Sequence, residues 1–164
     1  GAFLDWGLSK DLLLPFKEQA YEVKEKLNML NIDLIMCSPL KRTKKTAEII
    51  NQDKNLNIIY KKELIERDLG DFEGKDCDIE EGDIYNYYKN ENKMKIEPVV
   101  DLCNRVNKLL TEIKSNYKNK TILLVTHSGT ARAIEAYFYG IDENGELPPE
   151  NLKNCEIREY ELKE

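Results

Sequence analysis

Arg42, Glu66 and His127 are the residues of this sequence whose types and positions suit chemistry on an anionic substrate. Arg42 follows Ser38-Pro39-Leu40-Lys41 and enters a helical stretch. A guanidinium in a first helical turn can reach across a sheet edge and clamp a phosphate or carboxylate with two parallel N–H donors. His127, the only histidine, follows an apolar run and precedes Ser128-Gly129, so it stands where a strand hands over to a helix. Glu66 lies among the charges of Leu64-Ile65-Glu66-Arg67-Asp68-Leu69-Gly70. Taken singly, each residue has a plainer reading: a solvated helix-face arginine, a surface carboxylate, a hydrogen-bonded structural histidine.

The elements that must position these residues follow from apolar spacing. Over residues 15–30, Phe16, Ala20, Val23, Leu27 and Leu30 recur at steps of three and four, which predicts an amphipathic helix with Pro15 at its first position. Residues 32–37 are short, largely apolar and stopped by Ser38-Pro39, as in a buried strand. A helix over 40–51 and a short strand over 57–60 come next. Residues 61–96 are charged and interrupted by Gly70, Gly74 and Gly82, with a short helix expected near 79–88, whose Tyr85, Tyr87 and Tyr88 pack or face a ligand. A helix over 97–117 with Pro98 in its first turn, a central strand over 121–126, a helix over 129–139 closed by Gly140, and a more exposed strand within 155–162 complete the order.

Alternating strands and helices specify an α/β fold, an open, mostly parallel sheet with helices on both faces. In such sheets ligands bind outside the carboxyl ends of the strands, which brings residues 38–43 and 127–129 to one edge. Helices that start there present free N–H groups to an anion.

The 164 residues suit one domain, 1–164, and the net charge of −6 argues against non-specific nucleic-acid binding. The apolar runs are too short to cross a bilayer and no signal stretch opens the chain, so no membrane association and a cytoplasmic location are expected. Cys37, Cys77, Cys103 and Cys155 form no Cys-x-x-Cys pair, and one histidine does not complete the usual Cys/His zinc site. Buried free thiols are expected, with no metal and no cofactor. Position 1 is glycine, which leaves a processed or partial chain open.

Four ordered stretches resemble the histidine phosphatase superfamily, the phosphoglycerate-mutase-like group. They are Cys37-Ser38-Pro39-Leu40-Lys41-Arg42-Thr43 with Thr46-Ala47-Glu48-Ile49-Ile50, then Leu64-Ile65-Glu66-Arg67-Asp68-Leu69-Gly70-Asp71-Phe72-Glu73-Gly74, then Asp101-Leu102-Cys103-Asn104-Arg105-Val106, and Val125-Thr126-His127-Ser128-Gly129-Thr130-Ala131-Arg132. Lys17-Glu18-Gln19-Ala20 fits the group's first helix. The resemblance implies a metal-independent phosphomonoester site in which one histidine attacks phosphorus while arginines and a second histidine stabilise the equatorial oxygens. By the same resemblance Arg42 binds phosphate, His127 is the second histidine, Glu66 protonates the leaving oxygen, and the backbone N–H of Ser128 adds a phosphate contact.

The group's Arg-His-Gly triplet, at the end of a first central strand, supplies the attacking histidine, and no such triplet occurs here. Residues 1–14 hold neither arginine nor histidine, and Ala2 to Leu4 look too few to replace a buried strand. Three readings follow: a phosphatase of small phosphorylated metabolites lacking its first strand and nucleophile; a degenerate member that binds inorganic phosphate, a phosphorylated ligand or a protein partner without turnover; or a structural or interaction module. Mutase against phosphatase stays open, with the short chain inclining to hydrolysis, and the substrate is not readable. If that strand is missing, the strands at 32–37 and 121–126 should flank the gap, with residues 2–8 or a second chain, as a homodimer or swapped strand, filling it.

Overall fold

The computed structural model describes residues 2–4, 13–72, 85–86, 95–149 and 156–163. Its central strand, β4 below, is the run Ile122–Val125, whose four apolar side chains are all buried, as a strand covered on both faces requires. Along the chain the elements are β1 (Ala2–Leu4), α1 (Leu13–Leu27), β2 (Leu34–Cys37), α2 (Lys41–Ile50), β3 (Ile58–Tyr60), α3 (Val99–Asn116), β4 (Ile122–Val125), α4 (Ser128–Tyr139) and β5 (Ile157–Glu159). The five strands lie in the order β3-β2-β4-β1-β5. All neighbouring pairs are parallel except β1 with β5.

Alternation along the strands separates two cores. Leu123, Val125, Ile35 and Cys37 face Ala20, Val23 and Leu27 of α1 and Ala47 and Ile50 of α2. Ile122, Leu124 and Met36 face Leu102, Val106 and Leu109 of α3 and Ala133 and Ile134 of α4. Cys37 and Cys103 are buried free thiols, and burial pushes Cys37 up to about 12 and Cys103 to about 11. Cys77 and Cys155 lie outside the described residues.

The helices stop where local hydrogen bonding offers an alternative. α2 gives way at Asn51, whose side-chain amide donates to Leu56 O at 2.8 Å and accepts from Leu56 N at 2.7 Å. Pro98 is the N-cap of α3 instead of part of its first turn, because its ψ of 141° is extended. α4 ends at Gly140, whose φ of 83° favours glycine. Of the helix expected near 79–88 only Tyr85 and Asn86 are described. They form a turn and an antiparallel bridge with Glu146, so no helix runs through them.

Two expectations about the sheet are corrected. Residues 32–37 and 121–126 do not flank a gap: β2 and β4 are direct neighbours, paired from Leu34↔Ile122 to Cys37↔Val125. And three residues do suffice for the first strand. β1 pairs with β4 on its other side, Ala2↔Leu123 to Leu4↔Val125, and with β5 on its far edge. Bonding on both sides compensates for its shortness. Neither β2 nor β4 has an open edge, so the reason for a second chain to pair there disappears.

Leu123 and Leu124 bury essentially all of their surface on opposite faces of β4. Leu123→Ala and Leu124→Ala are each expected to lower the unfolding free energy by about 2–5 kcal/mol in urea titrations. A loss under about 1 kcal/mol for either would mean that its face is not packed as described.

Candidate functional site

The site begins where β2 and β4 end side by side. Cys37 lies opposite Val125, and one step further Ser38 N donates to Val125 O at 2.9 Å, which sets Ser38 beside the Thr126-His127 turn into α4. Ser38 and His127 are both fully buried. His127 Nε2 is 2.8 Å from Ser38 Oγ. Arg42, exposed in the first turn of α2, donates from Nε to His127 Nδ1 at 3.2 Å. Arginine Nε has only a hydrogen to offer, so Nδ1 is the acceptor and the ring proton of the neutral imidazole sits on Nε2, donated to Ser38. Both ring nitrogens are thereby engaged. The terminal nitrogens of Arg42 have no hydrogen-bond partner among the described residues.

Glu66 reaches the same edge from the segment after β3. Thr126 Oγ1 donates to Leu64 O and Thr130 Oγ1 to Ile65 O, both at 2.7 Å, pinning this segment against the start of α4. The Glu66 carboxylate accepts from Arg67 N at 2.8 Å and Thr130 N at 3.2 Å on Oε1, and from Gly129 N at 3.4 Å on Oε2. It thus satisfies two of the N–H groups that a helix start leaves without intrahelical partners. Ser128 N, at the first helical position, has no partner among the described residues. Gly129 permits the approach, since a Cβ there would lie 2.7 Å from Glu66 Oε1 and 3.0 Å from the Tyr85 hydroxyl.

Further arginines surround the pair, and only their presence in the motifs marked them in the sequence. Arg105 forms a two-pronged pair with Glu97, at 2.6 and 3.0 Å, and donates to Glu63 O at 2.7 Å. Arg67 and Arg132, both buried, hold their guanidiniums 4.9 and 3.7 Å from the centre of the Tyr85 ring. Arg67 Nε donates to Glu97 O, and Arg132 Nε to Pro148 O, each at 2.9 Å.

Burial, reinforced by the positive charges of Arg42 and Arg105, lowers His127 to about 3, so the imidazole is neutral at physiological pH. Burial raises the Glu66 carboxyl above the ordinary carboxylate range, against the pull of the three backbone N–H donors and Arg42. A cationic fork, a neutral imidazole and a carboxyl with raised proton affinity therefore share one edge with the helix-start N–H of Ser128. All four residues expected from the sequence, Arg42, Glu66, His127 and Ser128, are brought together there. Ser38, which was not singled out, is the fifth.

The buried histidine makes stability depend on pH. Because the unfolded chain, at an ordinary 6.5, takes up the proton before the folded one, at about 3, this contribution is complete above pH 6.5 and is lost as pH falls toward 3. Glu66 acts in the opposite sense, because its folded form binds the proton more readily than the unfolded one. Urea titrations should show a loss of about 3 kcal/mol from His127 between pH 6.5 and 4, flattened in His127→Gln. An unchanged slope in that variant would contradict a buried neutral imidazole. Gly129→Ala should destabilise the fold by about 1–3 kcal/mol, and by much less in a Glu66→Ala background. Equal losses in both backgrounds would show that Glu66 does not occupy the space next to Gly129.

Residues 17–164 match the family model of the histidine phosphatase superfamily (branch 1). The uncharacterized phosphatase PhoE of Bacillus subtilis is 34% identical over 150 residues, covering 90% of this chain and 74% of the relative. Phosphoserine phosphatase 1 of Hydrogenobacter thermophilus is 31% identical over 144 residues, 82% of this chain and 67% of the relative. Among solved structures, YhfR of Bacillus stearothermophilus superposes with a TM-score of 0.80 over 95% of this chain and 87% of that one, at 20% identity, a likeness of fold. The sheet order, the convergence of Arg42, Glu66 and His127, and the match over residues 17–164 lead to one assignment: this chain belongs to the histidine phosphatase superfamily, branch 1.

Proposed function

We propose that residues 1–164 act as one domain that binds the phosphoryl group of a small phosphomonoester, or inorganic phosphate, in a histidine-phosphatase site whose turnover is impaired. The observation that carries this reading is the Arg42 guanidinium, anchored through Nε on His127, whose terminal nitrogens have no partner among the described residues and are suited to an anion. Ser128 N supplies a further donor at a helix start. Glu66, with its raised proton affinity, is the group suited to protonate a leaving oxygen. The phosphatase relatives support hydrolysis as the reaction class.

Impairment is inferred from the supply of nucleophiles. His127 is the only histidine, and neither of its ring nitrogens has a free lone pair in this arrangement. β1 occupies the position beside β4 in the sheet. The residues that follow it in the sequence, Asp5-Trp6-Gly7, lie outside the described residues and contain neither arginine nor histidine. The residues present therefore supply phosphate donors and an acid, which is what the binding reading uses.

The experiment is phosphate or vanadate titration by calorimetry, alongside hydrolysis of an aryl phosphomonoester without added metal. Saturable binding that weakens roughly 10–100-fold in Arg42→Ala, with turnover near background, is expected. Absence of binding would remove the anion-site reading. Vigorous turnover abolished in His127→Ala would remove the impairment and make His127 the attacking group.

A further inference from the structure

Ser38 is fully buried and held from several sides. Its N–H bonds Val125 O, its carbonyl lies 2.9 Å from Thr43 Oγ1 and 3.1 Å from Cys37 Sγ, and its hydroxyl oxygen lies 2.8 Å from His127 Nε2 and 3.4 Å from Leu40 N. A buried serine against a histidine suggests a hydroxyl activated for attack, but the protons do not allow it. Activation needs a lone pair on Nε2 to receive the hydroxyl hydrogen. With Arg42 Nε–H already on Nδ1, a neutral ring keeps its one proton on Nε2, so the bond runs from histidine to serine. Leu40 N–H, a donor only, faces the same oxygen. Ser38 is therefore an acceptor here, and its own hydrogen has no acceptor among the described residues.

We propose that Ser38 is a positioning residue: by accepting the Nε2–H of His127 it holds the ring in the orientation in which Nδ1 accepts from Arg42, and so aims the Arg42 fork at the anion. The relay runs from the fixed end of β2, through the imidazole, to a guanidinium on the exposed first turn of α2. Without it, Arg42 would be a mobile surface side chain whose ordering would oppose binding. The inference rests on the anion-site reading for its consequence but not for its geometry, and the two can be tested apart.

Because the chain has a single histidine, one imidazole spin system reports the tautomer. In long-range 1H–15N spectra at pH 7, the wild-type chain should show Nδ1 unprotonated and Nε2 protonated. Ser38→Ala should shift both nitrogens toward tautomer averaging and weaken phosphate binding roughly 5-fold, less than Arg42→Ala, as fits loss of one neutral hydrogen bond. A wild-type ring protonated on Nδ1 overturns the proposal without recourse to any variant. Unchanged phosphate affinity in a folded Ser38→Ala also overturns it while leaving the anion site intact. Tautomer averaging in Ser38→Ala, in a protein whose wild type binds no phosphate, upholds the positioning role and removes the anion-site reading instead.

Discussion

The site depends on the pairing of β2 with β4. Side chains alternate along a strand, so a slip of one residue would exchange the two cores and carry Ser38 away from His127. The register is closed at both ends. At the start, Asp33 N donates to Thr121 O and Asp33 Oδ2 accepts from Thr121 N, at 2.8 and 2.7 Å; at the finish, Ser38 N bonds Val125 O. Between these clamps the cores on the two faces each require their own set of apolar residues. The hydrogen bond between Ser38 and His127 is thus a consequence of sheet register, and Arg42 inherits its place from that bond.

Charge gives the edge its second constraint. Arg67, Arg105 and Arg132 are committed to structure, through the Tyr85 ring, the Glu97 carboxylate and the carbonyls of Glu63, Glu97 and Pro148. Tyr85 is fixed in turn, because Leu147 N bonds its carbonyl and Asn86 Nδ2 donates to Asn144 O and Glu146 Oε1. Removing one member of such a network leaves a buried charge without its partner, which ties the rim of the site to the stability of the fold. Arg42 differs in being exposed, so its charge can be matched by a ligand without dismantling any of these contacts.

The parts of this arrangement that the sequence makes legible are those coded locally. The apolar runs of β2 and β4 and the helical spacing of α1 to α4 report burial directly, and their ends are blurred by one to three residues where Thr121, Thr126 and Asn51 bond outside the regular ladder. β1 is illegible because nothing in Ala2–Leu4 marks a strand; its partners are more than a hundred residues away. The same holds for Ser38, Gly129 and Tyr85, whose roles are contacts with residues far along the chain. Arg42, Glu66 and His127 could be found because the loops after parallel strands must meet at one edge, and the family motifs carried the rest.

The presence of β1 separates two requirements that a resemblance joins. A parallel strand beside β4 is needed for the backbone bonds that would otherwise be left open there, and those bonds depend little on which side chains come next in the sequence. An attacking group, by contrast, depends on a particular side chain and its free lone pair. The fold can therefore persist while Asp5-Trp6-Gly7 stands after that strand. In the proposed reading, the described residues hold a set of donors and an acid arranged for a phosphoryl group, with both nitrogens of the one histidine engaged. Donors that serve bound and reacting phosphate equally provide affinity without acceleration, and an acid that assists departure still requires an acceptor for the phosphoryl group. On this argument a retained site and a low rate are compatible outcomes of one geometry, in which the imidazole that could attack is used to hold the arginine that binds.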